Sequence, residues 1–244
     1  MPSTFFVPLR GIRPPVLPEY LHAFFSGWFD TAGPATPDTH HATEKPYTIS
    51  PMAPRSGVDG VEISVLTEEA EQRLLNTAGD GGSVRLGRQA GVFGPPIRQA
   101  RTSWEALCAG PAQRAWAVTF LTPTTFKSGD RTSPFPSPAV VLRAPKVAWR
   151  AFSGLPEIEV SPAETATIWV SDFSIHTEQV GVRARRPDGP PTPRPVAGVV
   201  GTITYRCDDA SVADRVGALF RLTPFCGVGA LRGKGFGVVD LDAR

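Results

Sequence analysis

Residues 225–237 read FCGVGALRGKGFG, which places two cations among closely spaced glycines. Glycine has no Cβ, so this backbone can adopt positive φ and approach a ligand closely. Successive N–H groups in such a turn can form an anion-binding nest, and neighbouring Arg and Lys side chains suit phosphate. The stretch predicts a turn that binds a nucleotide or a nucleic acid strand. A glycine-rich β-hairpin that serves only as a tight turn is the alternative.

Two common nucleotide-binding motifs do not fit this stretch. A dinucleotide fingerprint needs G-x-G-x-x-G, and the spacing of Gly227, Gly229 and Gly233 is one residue too long. A Walker A loop needs G-x-x-x-x-G-K-[ST], but Val228 replaces its first glycine and Gly235 its Ser or Thr.

The first half of the chain shows the order of a ferredoxin-like fold, β-α-β-β-α-β. Hydrophobic spacing predicts strands at residues 4–9, 47–52 and 61–66, helices at 19–29 and 67–76, and an extended segment at 83–97. Thr67 can cap the second helix, and Glu68 and Glu69 suit its positive end. His22 lies inside the first helix, where we expect a packed or capped structural histidine.

The second half repeats this order. We expect strands at residues 114–121, 166–175 and 196–207, a hairpin-like loop at 125–138, a helix at 139–152 interrupted by Pro145, and a helix at 209–222. Residues 225–230 and 236–241 are expected to close the sheet around the glycine turn. The prediction is an α+β protein of two tandem ferredoxin-like (RRM-like) domains, residues 1–110 and 111–244.

Overall composition limits the function classes only weakly. The 244 residues carry a formal net charge of +2, so the distribution of cations matters more than their sum. Arg183, Arg185 and Arg186 precede a Pro-rich run, and Lys127 and Arg131 flank a predicted turn. No apolar run is long enough to cross a membrane, and residues 1–10 do not read as a secretory signal. Three widely spaced cysteines indicate neither a disulfide framework nor a metal pair, so we expect a cytoplasmic protein with no membrane partner.

Several segments resemble one known family, the CRISPR repeat-processing endoribonucleases (the Cas-six family of the RAMP superfamily). Residues 225–230 and 233–237 resemble that family's C-terminal glycine-rich loop, and residues 198–205 resemble its penultimate strand. Residues 116–138 are similar to its F-x-(T/S)-P-T-x-F and P-x-P segment. His40 with residues 46–51 resembles the loop and strand that carry the catalytic histidine. Cys226 stands where the family often has a small residue such as Ser.

The resemblance implies an endoribonuclease that cleaves CRISPR precursor RNA within its repeats without metal or cofactor. In the implied reaction a ribose 2′-OH attacks the neighbouring phosphorus and leaves a 2′,3′-cyclic phosphate. His40 or His41 is the expected proton-transfer residue, since either fits the family's position and histidine titrates near neutral pH. Lys45 is the expected source of positive charge, and Ser26 is the expected hydroxyl partner.

The resemblance and the charge pattern together predict RNA-binding residues and partners. These RNA-binding residues are Gly227, Gly229, Arg232, Gly233, Lys234, Gly235, Gly237, Lys127, Arg131, Arg183, Arg185 and Arg186. The expected partner is CRISPR repeat RNA, as precursor or mature guide, with other effector-complex subunits left open. Two alternatives remain: a non-catalytic guide-RNA-binding subunit of an effector complex, and an unrelated ferredoxin-like protein with a purely structural glycine loop.

Overall fold

The computed structural model describes residues 1–29, 44–186 and 189–243, with side chains described outside 183–193 and 243. It confirms the α+β class and the tandem ferredoxin-like architecture. Each half contains an antiparallel sheet whose four βαββαβ strands lie in the order second, third, first, fourth. Among the helices of these residues, none has both the length and the apolar character that a membrane crossing requires.

The first half packs two helices against one face of its sheet. Its elements are β1 (Ser3–Arg10), α1 (Pro18–Ser26), β2 (Tyr47–Arg55), β3 (Val58–Val65), α2 (Glu68–Ala78), β4 (Gly82–Leu86), β5 (Gln89–Phe93) and β6 (Ile97–Arg101). Alternate residues of β1 point to the helices, where Phe5 and Val7 meet Leu21 and Phe25 of α1. Thr67 caps α2 by accepting a hydrogen bond from the Ala70 N–H at 3.1 Å, as the sequence predicts.

The predicted extended segment at 83–97 divides into a hairpin and a separate strand. Residues 3–6 of β1 pair with β6, whereas Leu9 and Arg10 pair with β5 of the β4–β5 hairpin. The hairpin therefore enlarges the ferredoxin-like sheet on the side of β1 that β6 also uses.

The second half has the same strand order with longer strands. Its elements are α3 (Trp104–Cys108), β7 (Ala115–Thr124), β8 (Phe126–Ser128), β9 (Arg131–Ser133), α4 (Pro138–Val141), α5 (Arg143–Phe152), α6 (Pro162–Thr165), β10 (Ile168–Arg186), β11 (Gly189–Cys207), α7 (Ala210–Cys226) and β12 (Val239–Ala243). Trp116 of β7 stacks on Phe220 of α7 with ring centroids 4.5 Å apart. The Tyr205 hydroxyl donates to the Pro136 carbonyl at 2.7 Å, which ties β11 to the loop before α4.

Two predicted boundaries in this half are wrong. The helix expected at 139–152 breaks at Leu142 and not at Pro145, because Pro145 lies in the first turn of α5, where a helix needs no N–H donor. Residues 225–230 do not form a strand: α7 continues to Cys226, and Ala230 makes only an isolated bridge to Thr125.

The β10–β11 hairpin is longer than predicted. The sequence predicts strands at 166–175 and 196–207, but each strand has 19 residues. β10 extends to Arg186, just before the Pro-rich run, and β11 begins at Gly189 within it. Pro191, Pro193 and Pro195 alternate, so their missing N–H groups all lie on one side of the strand. A strand accommodates such prolines where that side has no neighbour, and β7 pairs with β11 only at Val199–Arg206.

The connection between the halves packs with the second one. Trp104 and Leu107 of α3 belong to the hydrophobic core of the second half. The rings of Trp104 and Trp149 meet edge-to-face with their centroids 5.4 Å apart. Arg221 of α7 donates to the Leu107 carbonyl at 2.8 Å, which holds α3 against α7. The division of the chain at residue 110 stays a prediction.

Glu62 links the pH dependence of stability to the contact between the halves. It lines a small gap with Ser50 and Ser64 of the first sheet and with Pro224 and Gly227 of the second half. Burial raises the pKa of the Glu62 carboxyl above its ordinary value of 4.5, Arg55 lowers it, and Asp240 of β12 raises it further. The ionised carboxylate is therefore disfavoured in the folded protein.

We predict that Glu62→Gln stabilises the protein at neutral pH. Because the folded-state pKa is raised, the protonated carboxyl contributes stability below pH 4.5 that is lost as pH rises through the folded-state pKa. The variant should be more stable than the wild type above the folded-state pKa of Glu62, and the two proteins should be equally stable below pH 4.5. Urea unfolding between pH 4 and 8 measures this, with Glu157→Gln, at an exposed loop position, as the control. A variant less stable than the wild type at pH 8 would contradict the prediction.

Candidate nucleic-acid interface

The glycine-rich loop between α7 and β12 depends on residues without side chains. Gly227, Gly229, Gly235 and Gly237 all have φ between +66° and +78°. At Gly237 the constraint is steric as well, because a Cβ would lie 1.9 Å from the Val228 carbonyl oxygen. The two ends of the loop therefore approach more closely than a side chain permits.

The N–H groups of this loop are used mainly within the protein. Those of Gly227 and Gly235 donate to the carbonyls of Thr223 and Arg232, at 2.8 and 3.2 Å. The Val228 N–H donates to the Gly237 carbonyl at 2.9 Å. These three N–H groups are not available to the predicted anion-binding nest, because they already donate to carbonyl oxygens. The glycines shape the loop, and anion binding by its other N–H groups stays a prediction.

The loop contacts both halves of the molecule. The Ala230 N–H donates to the Thr125 carbonyl at 2.8 Å, which attaches the loop to β7 and β8 of the second half. On the other side, a Cβ at Gly235 would lie 3.0 Å from the Pro51 ring of β2, and one at Gly233 would lie 3.2 Å from Cε1 of His22. The loop is thus packed between α1, β2 and the second sheet.

A groove of about 550 Å³ lies beside the loop, between the two halves. One wall comes from the first half, through α1 and residues 44–47, and the other from β8, α4 and α5. Five cations line the groove: Lys45, Lys127, Arg143, Arg232 and Lys234. Glu44 is the acidic residue among the lining residues, so the groove carries net positive charge suited to a polyanion.

Two of the groove cations are held by other side chains. Arg232 donates to the Cys226 carbonyl at 2.9 Å, and its Nη2 lies 3.7 Å from the Glu44 carboxylate. Burial raises the pKa of the Cys226 thiol to about 12, so that thiol stays neutral beside the loop. Lys45 donates to the Tyr47 hydroxyl at 3.3 Å. Arg232 and Lys45 therefore have defined positions on the first-half side of the groove.

Of the remaining groove cations, Lys127 and Arg143 are exposed and Lys234 is half-buried. Lys127 lies on β8, and the Arg143 guanidinium at the start of α5 donates to its carbonyl at 3.2 Å. Lys234 lies in the short 3₁₀ turn Arg232–Lys234 of the glycine-rich loop. Strong solvent exposure leaves the amino group of Lys127 available for phosphate.

His22 lines the groove although the sequence indicates a structural role for it, and Tyr47 lines the groove with it. His22 leaves α1 toward the loop, with Gly233 against its ring, and lines the groove together with Lys45 and Tyr47. The apolar spacing of the helix locates its buried face but does not show which surface covers the other positions. No local signal in the sequence distinguishes His22 from a structural histidine.

The other predicted site residues have varied positions. Ser26 is 3% exposed in the core face of α1, so it is not among the residues that line the groove. Arg131 is exposed at the start of β9, across the turn from Lys127. Arg183, Arg185 and Arg186 lie at the far end of β10, and their side chains fall outside the described part. His40 and His41 also lie outside the described residues.

Comparison with known proteins identifies relatives of this arrangement. A family model described as CRISPR-associated endoribonuclease Cas6 matches residues 118–239, half of the chain. Among curated proteins, none is significantly similar to this chain.

Solved structures of Cas6 proteins share the fold along the whole chain. A Cas6 product complex is 24% identical, with a TM-score of 0.76 and full coverage of both chains. A product complex of Thermus thermophilus Cas6 is 26% identical, with a TM-score of 0.74, and the match covers 99% of this chain and 100% of that one. A further Thermus thermophilus Cas6 structure is 24% identical, with a TM-score of 0.68 and coverage of 99% and 98%.

We predict that Gly237→Ala destabilises the protein far more than Gly129→Ala. Both glycines have positive φ, so each variant loses about 1 kcal/mol to backbone strain. Gly129 has open space around its Cα, whereas at Gly237 the added Cβ meets the Val228 carbonyl, for a total loss of roughly 3 kcal/mol. Urea unfolding of both variants gives the comparison, and equal losses would show that the close approach of the loop ends is not a constraint.

Proposed function

This chain belongs to the CRISPR-associated endoribonuclease Cas6 family, and we propose that it cleaves CRISPR precursor RNA in the groove between its two halves. It is an endoribonuclease of CRISPR RNA processing; the location and mechanism of the cut are the proposal. The observation that carries it is the cationic groove beside the glycine-rich loop, with His22, Lys45 and Lys234 on its walls.

The proposed reaction is an intramolecular transesterification at one phosphate of the RNA. The 2′-OH of one ribose loses its proton to a base and attacks the adjacent phosphorus. The bond from phosphorus to the 5′-oxygen breaks, and an acid protonates that oxygen. The products are a 2′,3′-cyclic phosphate and a 5′-OH. The chemistry needs two proton-transfer groups and positive charge near the phosphate, so it proceeds without a metal.

Histidines are the side chains best suited to the two proton transfers. His22 lines the groove and contacts the glycine-rich loop, so its ring would be close to a phosphate bound by Lys234. His41 precedes Glu44 by three residues, and an extended chain spans at most about 11 Å over that distance. Because Glu44 lines the groove, His40 and His41 are within reach of it. We assign one proton transfer to His22 and the other to His40 or His41.

The groove cations have the remaining role in this mechanism. Negative charge on the phosphate oxygens grows as the new bond forms, and a preorganised cation stabilises it. Lys45 and Lys234 face the groove from opposite halves of the molecule. Lys127, Arg143 and Arg131 follow along β8, α5 and β9 and are suited to phosphates further along the strand. We retain Arg183, Arg185 and Arg186 as contacts to a more distant part of the RNA.

Three similar Cas6 structures support RNA as the ligand of this fold. Two of them are product complexes and one is a substrate-mimic complex. Another similar structure is that of a Cas6 variant in which a histidine is replaced by alanine. We propose repeat RNA as the partner of this chain, before and after cleavage.

The first test is cleavage of a labelled repeat RNA in EDTA. We expect a single cut by the wild type and no cut when the scissile 2′-OH is replaced by hydrogen. His22→Ala and the double variant His40→Ala/His41→Ala should each lower the single-turnover rate by about 10²- to 10⁴-fold. His176→Ala, an exposed histidine on β10, is the control and should retain the rate. Cleavage of the 2′-deoxy RNA would contradict the mechanism, and tight binding without any cut would favour the guide-holding alternative.

A second test concerns the groove cations. The plot of log affinity against log salt has a negative slope. We predict that Lys127→Gln and Lys234→Gln each make this slope shallower by about 0.7 to 0.9, since one counterion fewer is released for each lost phosphate contact. Lys146→Gln is the matched control, because this α5 lysine donates to the Val160 carbonyl at 3.2 Å and does not line the groove. Equal slopes for all three variants in a titration from low to high salt would place the RNA elsewhere.

A further inference from the structure

Four exposed arginines gather at the hairpin end of the first sheet, outside the groove. Arg10 ends β1 and Arg13 follows it, while Arg85 lies on β4 and Arg88 in the turn before β5. None of the four lines the cationic groove. We call these residues the hairpin arginine patch.

Strand register places two of these arginines on one face of the sheet. Arg10 pairs with Val92, and Arg85 pairs with Ala90, two residues away on the same strand β5. Residues two apart on a strand point to the same face, so Arg10 and Arg85 share a face with Ala90 and Val92. Val92 is half exposed, so this face meets solvent.

The opposite face of the same strands is part of the hydrophobic core. Leu9 pairs with Phe93, and Leu86 pairs with Gln89. Leu9, Phe93 and Leu86 are all buried in the hydrophobic core of the first half. A register slip would move these apolar side chains into solvent, so the pairing that buries them also keeps Arg10 and Arg85 outward.

Arg13 and Arg88 lie beside this face. The Arg13 N–H donates to Oε1 of Gln89 at 2.8 Å, and Nε2 of Gln89 donates to the Arg13 carbonyl at 3.0 Å. These two bonds fix the backbone of Arg13 against the start of β5, next to Arg88. Tyr20 of α1 is partly exposed and packs on Gly87, so an aromatic ring lies at the same turn.

The two segments that carry the patch contain no acidic residue. Residues 10–13 and 85–92 contain four arginines and no Asp or Glu, in a chain whose whole net charge is +2. Arg55, Arg98 and Arg206 each form an ion pair with a carboxylate. Within the described part of the chain, no ion pair involves Arg10, Arg13, Arg85 or Arg88. Guanidinium groups without a carboxylate partner can bind phosphate oxygens with two parallel hydrogen bonds.

We propose that the hairpin arginine patch binds the single-stranded RNA that flanks the repeat segment held in the groove. The proposal rests on the proposed function, because it concerns a second contact with the same precursor RNA. A single strand fits this surface better than an acidic protein does. The surface is a sheet face with separated cations, and the partly exposed Tyr20 ring lies at its edge beside Gly87. Single strands are bound without sequence preference by such combinations of cations and aromatic rings.

The test compares two RNAs that carry a 2′-deoxy scissile site, so that neither is cut. One is the repeat alone, and the other is the same repeat with single-stranded flanks on both sides. Arg10→Gln/Arg85→Gln should weaken binding of the flanked RNA about tenfold. The negative slope of log affinity against log salt should become shallower by roughly 1.4, at about 0.7 per lost single-strand contact. Binding of the repeat alone should not change. The melting temperature of the variant should match the wild type, since both side chains are exposed.

Arg114→Gln/Arg206→Gln is the matched control for net charge. Both arginines are exposed and both already bind Asp208, so their loss should leave binding of either RNA unchanged. Equal wild-type affinity for the two RNAs, or the same loss in the patch and control variants, would overturn the patch proposal. Failure of the wild type to bind the repeat alone would instead count against the proposed function.

Discussion

The glycine-rich loop is the constraint on which the rest of the site depends. Its two ends meet where Gly237 lies against the Val228 carbonyl, at a distance that excludes any Cβ. This close approach allows one short segment to reach β8 of the second half and α1 and β2 of the first. The groove exists because the loop holds those elements around it, so glycine is required there for shape.

The position of the loop also explains how a protein of low net charge can bind a polyanion. The groove cations come from four separate parts of the chain, namely residues 44–47, β8, α5 and the loop itself. Each segment alone contributes one or two charges, and the fold brings them to one surface. With His22 on the same surface, groups for charge stabilisation and proton transfer lie together, as RNA cleavage by a 2′-OH requires.

Much of the fold could be predicted because it follows from local periodicity. The apolar run of β1, the alternation along β3, the Thr67 cap and the repeated strand order all appear in the sequence. The length of β10 and β11 could not, because pairing between strands overrides the proline-rich composition. Lys45, Lys127 and Lys234 were predicted and do line the groove. His22 was missed and Ser26 was expected at the site, since the sequence does not show that Gly233 meets His22 or that Ser26 faces the core.

The most direct test of the central claim is a structure of this protein bound to a repeat RNA with a 2′-deoxy scissile site. We expect the scissile phosphate to lie in the groove, within hydrogen-bonding distance of Lys234, with the His22 ring beside the neighbouring ribose or the 5′-oxygen. A scissile phosphate bound outside the groove, away from both α1 and the glycine-rich loop, would contradict the central claim.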